Sequence, residues 1–419
     1  MTMPSDTDTR DTELAAQYEA YPYPERNAQD ETKRLLIGSP SHLREIDYWV
    51  FGARRSRSKP LRALVAGCGT GDGAIMLATQ MARSNRPGEV VCIDRSHHAL
   101  SIAQARATTR ELDNIRFIQA SLTDLKSLEL GLFDYIDCCG VLHHLPDPAA
   151  TLKSLVHLLA PQGGMGLMVY APYGRTGVYM LQDALEQLAP HTEPPAARLD
   201  TAKRVMRSLP ATAWLRHNGN FGDHLSGGDA GLYDLLLNPR DRSYTIDAFL
   251  DLLSEAGLDA SCLIEPARYD PTLFLPDPRL RKRLGTLSGR EKAIVAEALT
   301  GNMATHVAYV VRQGERITPP DYNDFDAIPL MREIPGIELA KQMLADHTLP
   351  FTFGTLAVPI PLPPQTRGLL PLIDGQRTVG DLAEILSTRG VTEDKFRKIW
   401  NEIFPTLESL NRVLLQSPA

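Results

Sequence analysis

The stretch Ala63-Leu-Val-Ala-Gly67-Cys-Gly69-Thr-Gly71-Asp-Gly73, running on into Ala74-Ile-Met-Leu-Ala78, decides the fold of this chain. A short continuous apolar run is the pattern of a parallel strand buried on both faces, and a helical pattern follows it. Glycines spaced G-x-G-x-G between the two let a ligand come close to the backbone of the turn. At the carboxyl end of the first strand of a doubly wound sheet, such a turn is where nucleotide-like ligands bind. The same glycines also suit a plain tight turn, and the segment alone does not separate the two readings. The chain has no G-x-x-x-x-G-K-[ST], so the lysine that holds a triphosphate is missing. The spacing also differs from the G-x-G-x-x-G that aims a helix N-terminus at a pyrophosphate.

The next strand sharpens the reading. Glu89-Val-Val-Cys-Ile-Asp94 is an apolar run ending in a carboxylate about twenty residues beyond the glycines, where an acid accepts hydrogen bonds from both ribose hydroxyls. The competing role for Asp94 is a helix N-cap, for which Ser96 is a rival. Further strands are expected at Asn114–Ala120, Phe133–Cys139 and Gly164–Tyr170, with a helix from Ala149 to Leu159 before the last. Strands alternating with helices of this length imply βαβ units and a parallel sheet.

These blocks resemble the class I S-adenosylmethionine-dependent methyltransferases, closely over residues 60 to 172 and more loosely to about 313. The resemblance rests on Gly67 to Gly73, on Asp94, and on Phe133-Asp-Tyr-Ile-Asp followed by Gly140-Val-Leu-His143-His144-Leu-Pro146-Asp147-Pro148. It implies an α/β fold with a seven-stranded, mostly parallel Rossmann-like sheet, and S-adenosyl-L-methionine as cofactor. Carried over residue by residue, Gly67, Cys68, Gly69 and Gly71 would approach the methionine and ribose parts, and Asp94 with Arg95 would meet the ribose. Ala120, Ser121 and Leu122 would flank the adenine, and Cys139 and Gly140 would close the methionine side. The chain departs from the family at two positions. Val65 stands where many members carry an acid two places before the first glycine, and Ser121 stands where many carry an acid after the third strand, with Asp124 nearby.

Composition sets the broader class. A chain of 419 residues calls for two domains plus insertions, and a net charge of −7 argues against broad contact with nucleic-acid phosphates. The cysteines Cys68, Cys92, Cys138, Cys139 and Cys262 contain no C-x-x-C pair and mostly sit in expected strands, the pattern of reduced thiols in a cytoplasmic protein. The polar, acidic start lacks an apolar signal core, and no apolar run reaches the length of a membrane span. No ligand trio at fixed spacing points to a metal.

Outside the sheet the expected pieces are a cap or lid over residues 1–58, an insertion at about 172–258, a linker at 314–336 and a small unit at 337–419. The first holds Tyr18-Glu-Ala-Tyr21-Pro-Tyr23-Pro24, aromatics and prolines that make a stiff segment suited equally to a lid or a surface clamp. The insertion is expected to carry helices near 178–189, 198–208 and 246–256, the last capped by Thr245. Between them, the glycine-rich stretch 218–234 reads as a polar loop. The C-terminal unit resembles a winged-helix-like module, with helices at 337–346, 366–373, 379–388 and 392–410 around a strand-like 351–360. Acidic residues outnumber basic ones there, a poor footprint for DNA, so it is expected to present substrate, bind a protein partner or form a homodimer.

The chemistry implied needs a nucleophile aligned with an electrophilic methyl group and, for O or N acceptors, a proton acceptor. His143 and His144, just past the fourth strand, are the base candidates, against the competing reading that one of them only packs or caps the following helix. Tyr173 and His224 are further candidates on the expected pocket wall, with Tyr179 and Tyr233. The absence of Asn/Asp-Pro-Pro-[Tyr/Phe] after the fourth strand argues, by the same resemblance, against nucleobase amino groups as acceptors. The expected function is methyl transfer to an O, N or C atom of a small molecule or a protein side chain. The alternative is a catalytically silent protein that binds the cofactor and signals through the C-terminal unit; an RNA-modifying enzyme is disfavoured by the charge balance.

Overall fold

The computed structural model describes residues 6–220 and 222–416. Its centre is a seven-stranded sheet in the order β3-β2-β1-β4-β5-β7-β6. The strands are β1 (Leu61–Ala66), β2 (Gly88–Asp94), β3 (Ile115–Gln119), β4 (Phe133–Cys139), β5 (Leu159–Tyr170), β6 (Leu258–Ile264) and β7 (Thr305–Arg312). β7 runs antiparallel between β5 and β6, and the other pairs in the sheet are parallel. The apolar run of β1 is buried from Ala63 to Ala66 because helices cover both faces. The order reverses direction between β1 and β4, so the carboxyl ends of these two strands open a crevice there.

Local signals set the crevice's rim. Gly71 is the left-handed N-cap (φ 100°) of the helix Asp72–Arg83, which places the glycine loop at that helix's start. Ser96 caps the helix His97–Thr109 by accepting the Ala99 N–H, so the cap role falls to Ser96 and leaves Asp94 free of it. Thr245 caps Ile246–Glu255 as its sequence position predicts.

The stretch expected to be a loop at 218–234 ends instead in a helix, Gly228–Leu236. Its glycines disfavour a helix, but Leu232, Tyr233, Leu235 and Leu236 are buried against Val178–Leu188 and Pro195–Ser208, and that packing overrides propensity. This helix carries Asp234 to the mouth of the crevice.

The N-terminal residues close over the same crevice. The helix Asp6–Ala20 packs on His97–Thr109. The Thr70 hydroxyl donates to the Pro24 carbonyl at 2.7 Å, and Arg26 pairs with Asp72 at 2.6 Å. Buried Arg106 joins this segment from below through Glu31 and Asp72.

Residues 328–416 add β8 (Ile328–Met331), the hairpin β9 (Thr348–Phe353) and β10 (Leu356–Pro361), and β11 (Val413–Gln416), which pairs with β8. Around these lie the helices Gly336–Gln342, Val379–Ser387 and Glu393–Ser409. Their apolar faces share one core cluster with Leu43 to Phe51 and with β1. Buried Glu45 sits where three segments meet, accepting from Ser39, Tyr309, Arg332 and Asn411. Among the described residues no helix is long and apolar enough to cross a membrane.

Candidate active site

The crevice deepens into one cavity of about 580 Å³. One end is walled by Gly67, Cys68, Gly69, Asp94, Arg95, Ala120, Ser121 and Leu122, together with Cys139 and Gly140. These are the residues expected to hold a cofactor, with the exception of Gly71, which faces Ala103 of the neighbouring helix. Gly67 takes φ 77° and Gly69 φ 50°, and a Cβ on Gly69 would lie 2.8 Å from the Tyr23 carbonyl oxygen. The glycine requirement therefore comes partly from the N-terminal segment, which sits directly on the loop.

Asp94 accepts the Gly69 N–H at 2.7 Å on one oxygen and the Ser96 N–H at 2.9 Å on the other. Burial pushes its carboxyl above the usual range in spite of these donors. Each carboxylate oxygen keeps a lone pair toward the cavity, which is the acceptor set a vicinal diol requires.

Asp137 is a site residue that the sequence pattern hides. It lies in the apolar strand β4 and is buried, yet it lines the cavity. The register sets it directly beside Val65 of β1. Its carboxylate accepts from the buried Ser41 hydroxyl, and burial outweighs that bond and the Cys139 backbone N–H to raise its pKa to about 6. The acid absent at position 65 thus has a counterpart one strand over, facing the same space.

The other end of the cavity is built by Tyr18, His144, Tyr170, Arg175 and Asp234. Asp234 is buried and accepts from the Tyr18 hydroxyl at 2.9 Å, from Asn238 at 3.2 Å and from the Tyr170 hydroxyl at 3.3 Å. Arg175 lies 3.7 Å over the Tyr170 ring and pairs with Asp241 at 2.7 Å. His143 stacks on the same ring at 3.8 Å, which fixes the phenol between a guanidinium and an imidazole.

The structure separates the two histidines. His143 is fully buried behind Tyr170, neither ring nitrogen has a hydrogen-bond partner among the described residues, and burial beside His144 and Arg175 holds its pKa well below the usual value. It stays neutral and packs. His144 lines the cavity, and its Nδ1 lies 2.6 Å from the Arg240 carbonyl. A carbonyl only accepts, so Nδ1 carries the proton and the Nε2 lone pair is left as a base. Tyr173 is 43% exposed and lies outside the cavity lining, as do His224, Tyr179 and Tyr233. Tyr18 and Asp234 could not be ranked from sequence, because their juxtaposition spans more than two hundred residues.

Comparison with known proteins agrees with this geometry. A methyltransferase-domain family model matches residues 58–193. An uncharacterised protein of Synechococcus sp. is 29% identical over 325 residues, covering 75% of this chain and 74% of that protein. The ubiquinone biosynthesis O-methyltransferase of Acinetobacter baylyi is 32% identical over 102 residues, 24% of this chain and 40% of that enzyme. The chain thus spans less than half the length of the curated O-methyltransferases it matches. The structure of PKMT2 from Rickettsia typhi in complex with AdoHcy has the same fold, with a TM-score of 0.63 over 90% of this chain and 75% of that one at 16% identity. Residues 58–193 thus match a methyltransferase-domain family, and they contribute the first five strands of a seven-stranded, mostly parallel Rossmann-like sheet.

Proposed function

We propose that this protein transfers a methyl group from S-adenosyl-L-methionine to a nucleophile received between His144 and Asp234. The observation that carries the reading is one cavity joining the glycine loop, Asp94 and Asp137 to an acceptor end lined by His144, Tyr170 and Asp234. The residues suit the donor's chemistry. Asp94 offers two oxygens to a ribose diol, Ala120 and Leu122 offer apolar contact to an adenine, and Asp137 offers a carboxylate to an ammonium group. Arg26, fixed by Asp72, is the cavity guanidinium available to the donor's carboxylate. When bound, the donor supplies a methyl group already activated on a sulfonium.

What remains for the chain is alignment and proton removal. The lid segment Tyr23–Pro24 and the sandwiched Tyr170 limit the directions from which an acceptor enters. Good alignment is worth up to about 7–11 kcal/mol of barrier. A base adds roughly 10²–10⁴-fold, and His144 Nε2 is the group placed for it. The test is incubation with radiolabelled methyl donor and host lysate, separated into macromolecular and small-molecule fractions. Label in either fraction, reduced in His144→Gln, is the expected result. Donor binding with label in neither fraction would favour a silent binding protein.

The role of Asp137 carries a pH signature. Its carboxyl titrates near 6 before the donor binds, so the negative charge that meets an ammonium is present above pH 6 and is lost as pH falls below it. Affinity for S-adenosylhomocysteine should drop about tenfold between pH 8 and pH 5, as calorimetry would show. In Asp137→Asn the affinity at pH 8 should fall and the slope should flatten. An unchanged slope in that variant would remove Asp137 from the donor site. The linkage to stability has the opposite sense: the raised carboxyl weakens the free fold as pH rises through 6, because the unfolded chain gives up that proton at lower pH.

A further inference from the structure

A charge inventory of the cavity leaves one carboxylate unassigned. Arg26 shares Asp72 with Arg106, Arg95 shares Asp11 with Arg240, and Arg175 pairs with Asp241. Among the described residues, the cavity carboxylates without a cation in ion-pair contact are Asp94, Asp137 and Asp234. On the proposed reading the donor occupies the first two, through its ribose and its ammonium. Asp234 lies at the opposite end, where the acceptor enters.

Asp234 is also incompletely satisfied. Its Oδ1 takes Tyr18, Asn238 and a longer contact from Gln17, whereas among the described residues its Oδ2 takes only the Tyr170 hydroxyl at 3.3 Å. A carboxylate oxygen accepts about two hydrogen bonds, so Oδ2 retains capacity toward the cavity. Both phenols are held well above their usual pKa by burial and by the Asp234 charge, so they stay protonated and serve only as neutral donors. A carboxylate that is 3% exposed, ringed by neutral donors and without a cation of its own, is costly unless a positive ligand completes it. Arg175, the guanidinium that lines the acceptor end, is already paired with Asp241, so among the described residues that end has no matching provision for a carboxylate or phosphate acceptor.

We infer that the methyl acceptor is an amine, received as its ammonium ion against Asp234 and flanked by Tyr18, Tyr170 and His144. The inference rests on the donor assignment above. In the reaction the ammonium gives one proton to His144 Nε2, and the nitrogen lone pair forms the new N–C bond. The methyl–sulfur bond breaks with its electron pair going to sulfur, and the imidazolium returns its proton to water. The methylated nitrogen keeps its two remaining protons and a positive charge, which still faces Asp234. Asp234 therefore sets which nucleophile enters, and His144 sets its protonation state.

The test uses the full chain saturated with S-adenosylhomocysteine and three probes of one size: n-butylammonium, 1-butanol and butyrate. Calorimetry should show n-butylammonium binding tighter than either of the others. In Asp234→Asn that preference should fall by on the order of 10- to 100-fold while S-adenosylhomocysteine still binds. Equal binding of the three probes, or a preference for butyrate, would overturn the inference and leave the donor assignment standing. Failure of S-adenosylhomocysteine to bind the wild-type chain would instead overturn the donor assignment. If Asp234→Asn does not fold, the wild-type preference decides alone. Labelled lysate separates the sources of the amine. Base-stable label that is no longer incorporated when the lysate's amines are acetylated before the incubation supports the inference, in the protein fraction for a lysine side chain or in the small-molecule fraction for a free amine. Label still incorporated into lysate acetylated beforehand, or label that base releases as an ester, contradicts it.

Discussion

Asp94→Ala should weaken S-adenosylhomocysteine binding by on the order of 10²-fold or more and abolish methyl transfer at ordinary donor concentrations. The argument is local. Asp94 holds the Gly69 and Ser96 N–H groups and turns its remaining lone pairs to the cavity. A hydrogen bond to a charged group contributes about 1.5–3 kcal/mol, and a ribose supplies two hydroxyls. Removal also frees the Gly69 N–H, so the loop that shapes the methionine end loses its brace. Asp94→Asn is the informative companion. It keeps the volume and one acceptor, so it should lose less than the alanine variant. Calorimetry on both reads the difference, and an alanine variant that binds within a factor of three of wild type would remove Asp94 from the ribose site.

The second large effect concerns stability. Glu45 is fully buried and gathers the Tyr309 hydroxyl from β7 at 2.7 Å, the Asn411 amide at 2.7 Å, Ser39 and the Arg332 guanidinium. Removing one partner of a buried ion pair leaves the other uncompensated and costs about 3–5 kcal/mol. Glu45→Ala should therefore lower the unfolding free energy by that amount in urea melts. Arg290→Ala makes the contrast. Arg290 pairs with Asp247 and Asp251 at the surface, where a pair is worth about 0–1 kcal/mol. If Glu45→Ala melts within 1 kcal/mol of wild type, the junction between the N-terminal segment, the sheet and residues 328–416 is held by contacts other than Glu45, such as Arg44 to the Met331 carbonyl and Tyr48 to Glu408.

The parts of this molecule that were legible in the sequence are those whose signals are local. The run Ala63–Gly73 shows a buried strand and a glycine turn within eleven residues, and Thr245 announces its helix by position. Asp94 was legible because it ends a strand at a fixed distance from the glycines. Asp137 was hidden by its surroundings. An acid inside Phe133–Cys139 looks like an interruption of a core strand until the β1–β4 register sets it beside Val65. The acceptor end was less legible still, because Tyr18, Tyr170 and Asp234 meet only after the helix Gly228–Leu236 packs down. Glycine propensity pointed that segment toward a loop, and burial of Leu232, Leu235 and Leu236 decided otherwise. The doublet His143-His144 divides for a similar reason, since only the fold shows which ring lies behind Tyr170 and which lines the cavity.

The central claim is that one cavity holds the methyl donor at the glycine loop and presents it to an acceptor at Asp234. A crystal structure of the chain with S-adenosylhomocysteine measures this most directly. The account predicts the ribose hydroxyls on Asp94, the ammonium on Asp137, and the sulfur facing the space between His144 and Asp234. A ligand bound elsewhere, or one whose sulfur points away from Tyr170 and Asp234, would contradict it.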